Sequence, residues 1–123
     1  MLAARSVAYS SGPSGFYVAD LLKRLGVAEA IKDRVVQPAS GVQIADLLAR
    51  GQADLGFQQI SELLHAEGIH YLGPLPADIQ NMTVYSAGRH EAASAGDAAT
   101  ALIRYLTAPE AAEVIRRIGM EPG

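Results

Sequence analysis

The sequence contains no cysteine. Disulfides, thiolate catalysis and cysteine-ligated metals are excluded at once. No run of about 18 apolar residues occurs, so no segment reads as a membrane span. Positive charge is scarce: 10 Lys and Arg stand against 13 Asp and Glu, a net charge of −3. A nucleic-acid binder normally shows a basic stripe, so no nucleic-acid partner is expected. Histidine is limited to His65, His70 and His90. None of them is paired at i, i+4 and no H-E-x-x-H occurs, so no metal site is expected. A G-x-S-x-G elbow, a phosphate-binding G-K-[ST] loop and the dinucleotide G-x-G-x-x-G pattern are also absent. No catalytic triad and no cofactor are expected from what remains.

What is present suits one ordinary domain. A chain of 123 residues has a radius of about 14 Å and buries roughly two-thirds of its surface. Half of the residues are hydrophobic and 19% are charged, which argues against disorder. The first residues, Met1-Leu2-Ala3-Ala4-Arg5, are too few and too polar for a signal peptide.

Strand-like and helix-like segments alternate along the chain. Ser6 to Ser10 is β-leaning and runs into the turn Ser11-Gly12-Pro13-Ser14-Gly15. Val18, Leu21, Leu22 and Leu25 then fall on one helical face, predicting a helix over 15–25, with Ser14 as N-cap and Gly26 just past the end. Residues 27–32 predict a short helix and 34–37 a strand. Ser40 and Gln43 have capping-box spacing ahead of Ile44, Leu47 and Leu48, predicting a second helix that stops at Gly51. Further strands are predicted at 53–59, 69–72 and 82–88, with a short helix capped by Ser61 between the first two. From Asp97 the pattern is helical again. Thr107 and Glu110 repeat the capping-box spacing, with Pro109 in the first turn, before a helix that ends at Gly119. Alternating strands and helices of about ten residues predict an α/β fold with a mostly parallel sheet flanked by helices.

Two stretches are alike. Ser14-Gly15-x-x-Val18-Ala19-Asp20-Leu21-Leu22-x-Arg24 matches Ser40-Gly41-x-x-Ile44-Ala45-Asp46-Leu47-Leu48-x-Arg50, 26 residues later. Two βα units with the same packing needs would give this pattern. So would two helix N-termini aimed at one ligand. Asp20 and Asp46 suit helix solubility and local ion pairs better than paired acid/base work.

Chemistry is best placed at the turn from Ser10 to Gly15. Glycine lets a backbone come close to a ligand, and the first helical N–H groups favour an anion. Ser11 and Ser14 add neutral donors. In a parallel sheet the second helix, starting near Gly41-Val42, opens at the same carboxyl edge, where Gln58 and Gln59 also end a strand. Tyr17, in the first helical turn, could wall such a site.

These same residues carry a family likeness. Ser11-Gly12-Pro13-Ser14-Gly15-Phe16-Tyr17-Val18-Ala19 resembles a helix start of the solute-binding proteins of bacterial ABC transporters, and of their molybdate-binding group in particular. Residues 53–63, Gly73-Pro74-Leu75-Pro76 with Thr83 to Gly88, Leu106 to Ala112 and Gly119 to Gly123 resemble later parts of that family in the same order. The resemblance implies the second lobe of a type II periplasmic-binding-protein fold, without the first lobe. It divides the chain into a lobe with its crossover strand, 1–88, and C-terminal helices, 89–123. It implies solute binding rather than catalysis, a small anion as ligand, an ABC permease as partner and a periplasmic location. It also implies ligand contacts near Ser14-Gly15, near Gly41-Val42 and at Gln59, to which the reading of the turn adds Ser11 and Tyr17. The molybdate group has a tyrosine where this chain has Gln59, which opens the ligand to another oxyanion or a small organic acid. A cytosolic ligand sensor and a small enzyme acting on an acidic substrate are the rival readings. A half clamp leaves inter-lobe surface open, so self-association into homo-oligomers is expected, to be read by light scattering.

Overall fold

Val7, Ala8 and Tyr9 form the innermost strand, and their burial explains the rest of the architecture. The computed structural model describes residues 2–123. Among them β1 (Val7–Tyr9), β2 (Val35–Val36) and β3 (Leu55–Phe57) form a parallel sheet in the order β2-β1-β3. Val7 and Ala8 are fully buried and Tyr9 nearly so. Successive side chains of a strand point to opposite faces. Val7 and Tyr9 accordingly join Val18, Leu22 and Ile31 in one apolar cluster, while Ala8 joins Ile44 and Ala53 in another. The first cluster is roofed by helices α1 (Pro13–Arg24) and α2 (Ala28–Ile31), the second by α3 (Ile44–Ala49). A strand covered on both faces reads as continuous apolar sequence, as Val7-Ala8-Tyr9 does.

At the amino edge of the sheet, Arg5 fastens β1 to β3. Its Nε and Nη2 donate to the two carboxylate oxygens of Asp54, each at 3.0 Å, and its backbone N–H donates to the same carboxylate at 2.8 Å. Asp54 N–H donates to Ser6 Oγ at 3.0 Å. Arg34 spans the neighbouring pair, its Nη1 donating to the carbonyls of Leu2 and Ala4.

The sequence-predicted helices are found, with different starts. The N-cap of α1 is Gly12 and Pro13 takes the first helical position, so Ser14 lies inside the helix. The Ser40–Gln43 capping box does not form: Gln43 is itself the N-cap of α3 and makes no side-chain capping bond. Gly41, at φ +86, holds the backbone out of the helix there. Helix α4 (Ile60–Leu63) is capped by Gln59, not Ser61. Gly26 and Gly51 close α1 and α3 with the two backbone bonds of a Schellman motif.

Strands do not form at 69–72 or 82–88, which are irregular. A strand needs a neighbour to take its backbone bonds. The described sheet ends with β2 and β3 at its edges and pairs with neither segment. Between the two segments the chain is tied down locally: the Tyr17 hydroxyl donates to the Ile79 carbonyl, and Gln80 Oε1 accepts from Leu75 N–H.

The chain separates into two compact units, Met1–Asn81 and Met82–Gly123. The second holds α5 (Gly96–Leu106) and α6 (Pro109–Arg117). Its Thr107 does not open α6; the hydroxyl donates back to the Ile103 carbonyl at 3.0 Å, closing α5, and Ala108 is the N-cap of α6. Only Ala111 is buried among the described residues of this unit, while Leu102, Tyr105 and Val114 are more than half exposed. No helix of the described residues is long and apolar enough to cross a membrane.

Candidate functional site

The order β2-β1-β3 creates a place where chain direction diverges. From β1 the chain runs through α1 to β2 on one side; from β2 it runs through α3 to β3 on the other. Open α/β sheets bind ligands at such a point, outside the carboxyl ends of the strands. A cleft of about 200 Å³ lies here, formed by the segments 10–14, 39–43 and 58–62.

The β1–α1 turn makes one wall. Gly15 sits buried at the third position of α1. A Cβ there would run into the carbonyl oxygen of Ser10, so only glycine lets α1 start so near the end of β1. This closeness brings Ser14 Oγ within 3.0 Å of Ser10 Oγ, and Gly12 N–H points at the same Ser10 hydroxyl at 3.4 Å. The N–H groups of Ser14 and Gly15 have no hydrogen-bond partner among the described residues. They are the donors that a helix of twelve residues leaves open at its positive end.

The wall after β3 is made of amides. Gln58 Oε1 accepts from Ile44 N–H at 2.9 Å, and its Nε2 donates to Gln43 Oε1 at 2.7 Å. Gln58 thus fixes the first turn of α3 to the end of β3. The loop between β2 and α3 closes the third side. Its Val42 N–H donates to the Ala39 carbonyl at 3.3 Å. Gly41 and Val42 are exposed there.

Five of the seven residues singled out from sequence therefore meet at the cleft: Ser11, Ser14, Gly41, Val42 and Gln59. Gly15 lies behind it, against Ser10. Tyr17 is directed elsewhere, to Ile79, with the Arg24 guanidinium 5.8 Å from its ring centre. Ser10, which opens the turn where the sequence places chemistry, lines the cleft as well. Glu62 is a lining residue that sequence reasoning does not single out, although it lies three positions after the strand-end amide Gln59, in the first turn of α4. A strand end followed by a helix start is the signal that could have found it.

The lining is neutral apart from Glu62: hydroxyls, amides and backbone, with no Lys, Arg or His. Among the described residues no group of His, Asp and Glu could hold a metal ion. Such a wall can bind an acid through many neutral donors, not through a charge pair.

A parallel α/β lobe with donors gathered at its switch point defines the class: a ligand-binding lobe of the kind found in solute receptors. The chain belongs to the family described as bacterial extracellular solute-binding protein, which matches residues 2–121. It is 39% identical over 122 residues to aconitate isomerase of Pseudomonas sp, covering 97% of this chain and 45% of that protein. It is 33% identical over 116 residues to the molybdate-binding protein ModA of Azotobacter vinelandii, covering 89% of this chain and 44% of that one. To ModA of Rhodobacter capsulatus the identity is 29% over 109 residues. The chain thus spans less than half the length of these relatives. No solved structure matches.

Proposed function

We propose that this chain is the second lobe of a solute-binding protein that presents a small acid to an ABC permease in the periplasm. The observation that carries the reading is the convergence of the free α1 N–H groups, the Ser10–Ser14 hydroxyls and the Gln58–Gln59 wall on one cleft at the carboxyl edge. Membership of the solute-binding family supports reading that cleft as the ligand site. A small organic acid is favoured over molybdate, since the resemblance puts Gln59 where the molybdate group has a tyrosine and a 39% identical relative is named for aconitate. For the lobe by itself, binding of about millimolar strength is expected, which corresponds to about −4 kcal/mol.

Isothermal titration against molybdate, sulfate, citrate and trans-aconitate tests this. Heat from a carboxylate that Ser14→Ala reduces about five-fold is the expected result. Binding of molybdate alone would return the chain to the molybdate group. Absence of binding to all four would remove the proposal for the lobe by itself.

The same relative favours a second reading, in which the cleft isomerises a small unsaturated acid. Proton NMR of trans-aconitate incubated with the chain distinguishes the two. Conversion abolished by Ser14→Ala would establish it, and an unchanged spectrum would leave binding alone.

A further inference from the structure

We infer that Glu62 selects, among small acids, those that also carry a hydroxyl, with the ligand O–H donating to the Glu62 carboxylate. The inference rests on the reading of the cleft as an acid-binding site and goes beyond it by naming the substrate class as hydroxy acids.

Among the described residues, Glu62 is the one ionisable side chain that lines the cleft. It is half-buried, and its carboxylate has no hydrogen-bond or ion-pair partner among the described residues. Its position offers a structural task, because a Glu at the third position of a helix can reach back to the N-cap N–H. The side chain does not do so here; only its backbone N–H bonds, to the Gln59 carbonyl at 3.0 Å. Its acceptor atoms are therefore left to whatever enters the cleft.

An ionised carboxylate accepts hydrogen bonds and donates none. A bare dianion such as sulfate or succinate has no proton to offer at neutral pH, so beside Glu62 it meets like charge without compensation. A hydroxy acid resolves the conflict. Its carboxylates can face the serine hydroxyls and the open N–H group of Ser14, while its hydroxyl turns to Glu62. That bond is charge-assisted and among the stronger neutral-to-ion contacts. Ser11 and Ser40, on the other walls, provide uncharged donors and would not penalise either ligand.

The test uses pairs of acids that differ by one hydroxyl: malate against succinate, and citrate against tricarballylate. Titration calorimetry of the 123-residue chain is expected to show the hydroxylated member of each pair bound about ten-fold tighter. Glu62→Gln, which keeps the shape and removes the charge, should cut that preference to about two-fold and tighten succinate and sulfate. Thermal unfolding of the variant controls for folding. Wild-type binding without a preference overturns the inference and leaves the acid-binding reading standing. So does a Glu62→Gln variant that keeps the full preference, or one that weakens both members of a pair equally. Failure of all four acids to bind the wild type overturns both.

Discussion

The two stretches that look alike in sequence, at Ser14 and at Ser40, fold into different things. In the first, Pro13 starts the helix and Ser14 and Gly15 lie within it. In the second, the helix begins only at Ile44, and Ser40 and Gly41 belong to a loop. The aligned glycines differ in kind: Gly15 is right-handed helix pressed on the Ser10 carbonyl, while Gly41 has φ +86 and open space where a Cβ would go. The aligned acids differ too. Asp20 pairs with Arg24 at 3.6 Å, whereas the equivalent Asp46 and Arg50 form no ion pair among the described residues. What is shared is the apolar face: Val18 and Ile44 are both buried, one on each side of β1. The likeness thus encodes two helices packed on opposite faces of one strand. The first helical N–H of α3, that of Ile44, is taken by Gln58, whereas the Ser14 N–H at the start of α1 has no partner among the described residues.

The largest test of that asymmetry is in the core. Leu22 is 3% exposed, while its counterpart Leu48 is only partly buried. Truncating a fully buried leucine removes its transfer energy and leaves a cavity. Leu22→Ala is expected to cost about 3 kcal/mol, and Leu48→Ala about half as much. Urea unfolding midpoints read both. Equal costs would mean that the two faces of β1 support the fold alike.

Next come the glycines. Gly15→Ala forces α1 away from the end of β1, an overpacking expected to cost about 3 kcal/mol. Gly41→Ala meets no neighbour and costs only the left-handed backbone penalty, about 1 kcal/mol. The two variants also part in function. Gly15→Ala moves Ser14 off Ser10 and should weaken acid binding more than its loss of stability accounts for. A Gly15→Ala chain as stable as wild type would show that α1 can shift freely.

The apolar pattern carried most of the fold. Val7, Val18, Leu21, Leu22 and Ile44 were legible as core because a helical face and a doubly covered strand leave different periodicities. Helix ends marked by Gly26 and Gly119 were legible for the same local reason. The starts were not. Ser40 and Gln43 have the right spacing for a box, yet a positive φ at Gly41 sits between them, and a side-chain spacing carries no backbone angle. The segments 69–72 and 82–88 have β-leaning residues, but strand formation depends on a neighbour, which lies outside the segment's own sequence. Val84, 85% exposed, shows the result. At the site, the strand-end residues were found because topology sends them to one edge, whereas Glu62 was hidden by its ordinary look as a first-turn acid.

The smallest effect contrasts the two edges of the sheet. Among the described residues the cleft at the carboxyl edge is neutral save for Glu62; the amino edge is held by Arg5 and Asp54. Side-chain hydrogen bonds from Arg5, reinforced by its backbone N–H, hold the Asp54 carboxyl below the usual carboxylate range. The folded form thus binds the Asp54 proton less readily than the unfolded form does. The clamp is at full strength above the ordinary carboxylate value of about 4 and is lost as pH falls through the lower, folded value. Arg5 is largely exposed, so solvent screens the pair and the effect stays small. Asp54→Asn should therefore lower the unfolding temperature slightly at pH 7, with the gap to wild type closing in acid and also narrowing in high salt. Acid binding at the opposite edge should be unchanged at neutral pH. If Asp54→Asn weakened binding as well, the two edges would be coupled through β1 and β3. The cleft would then depend on the register that the clamp sets, and not on its own walls alone.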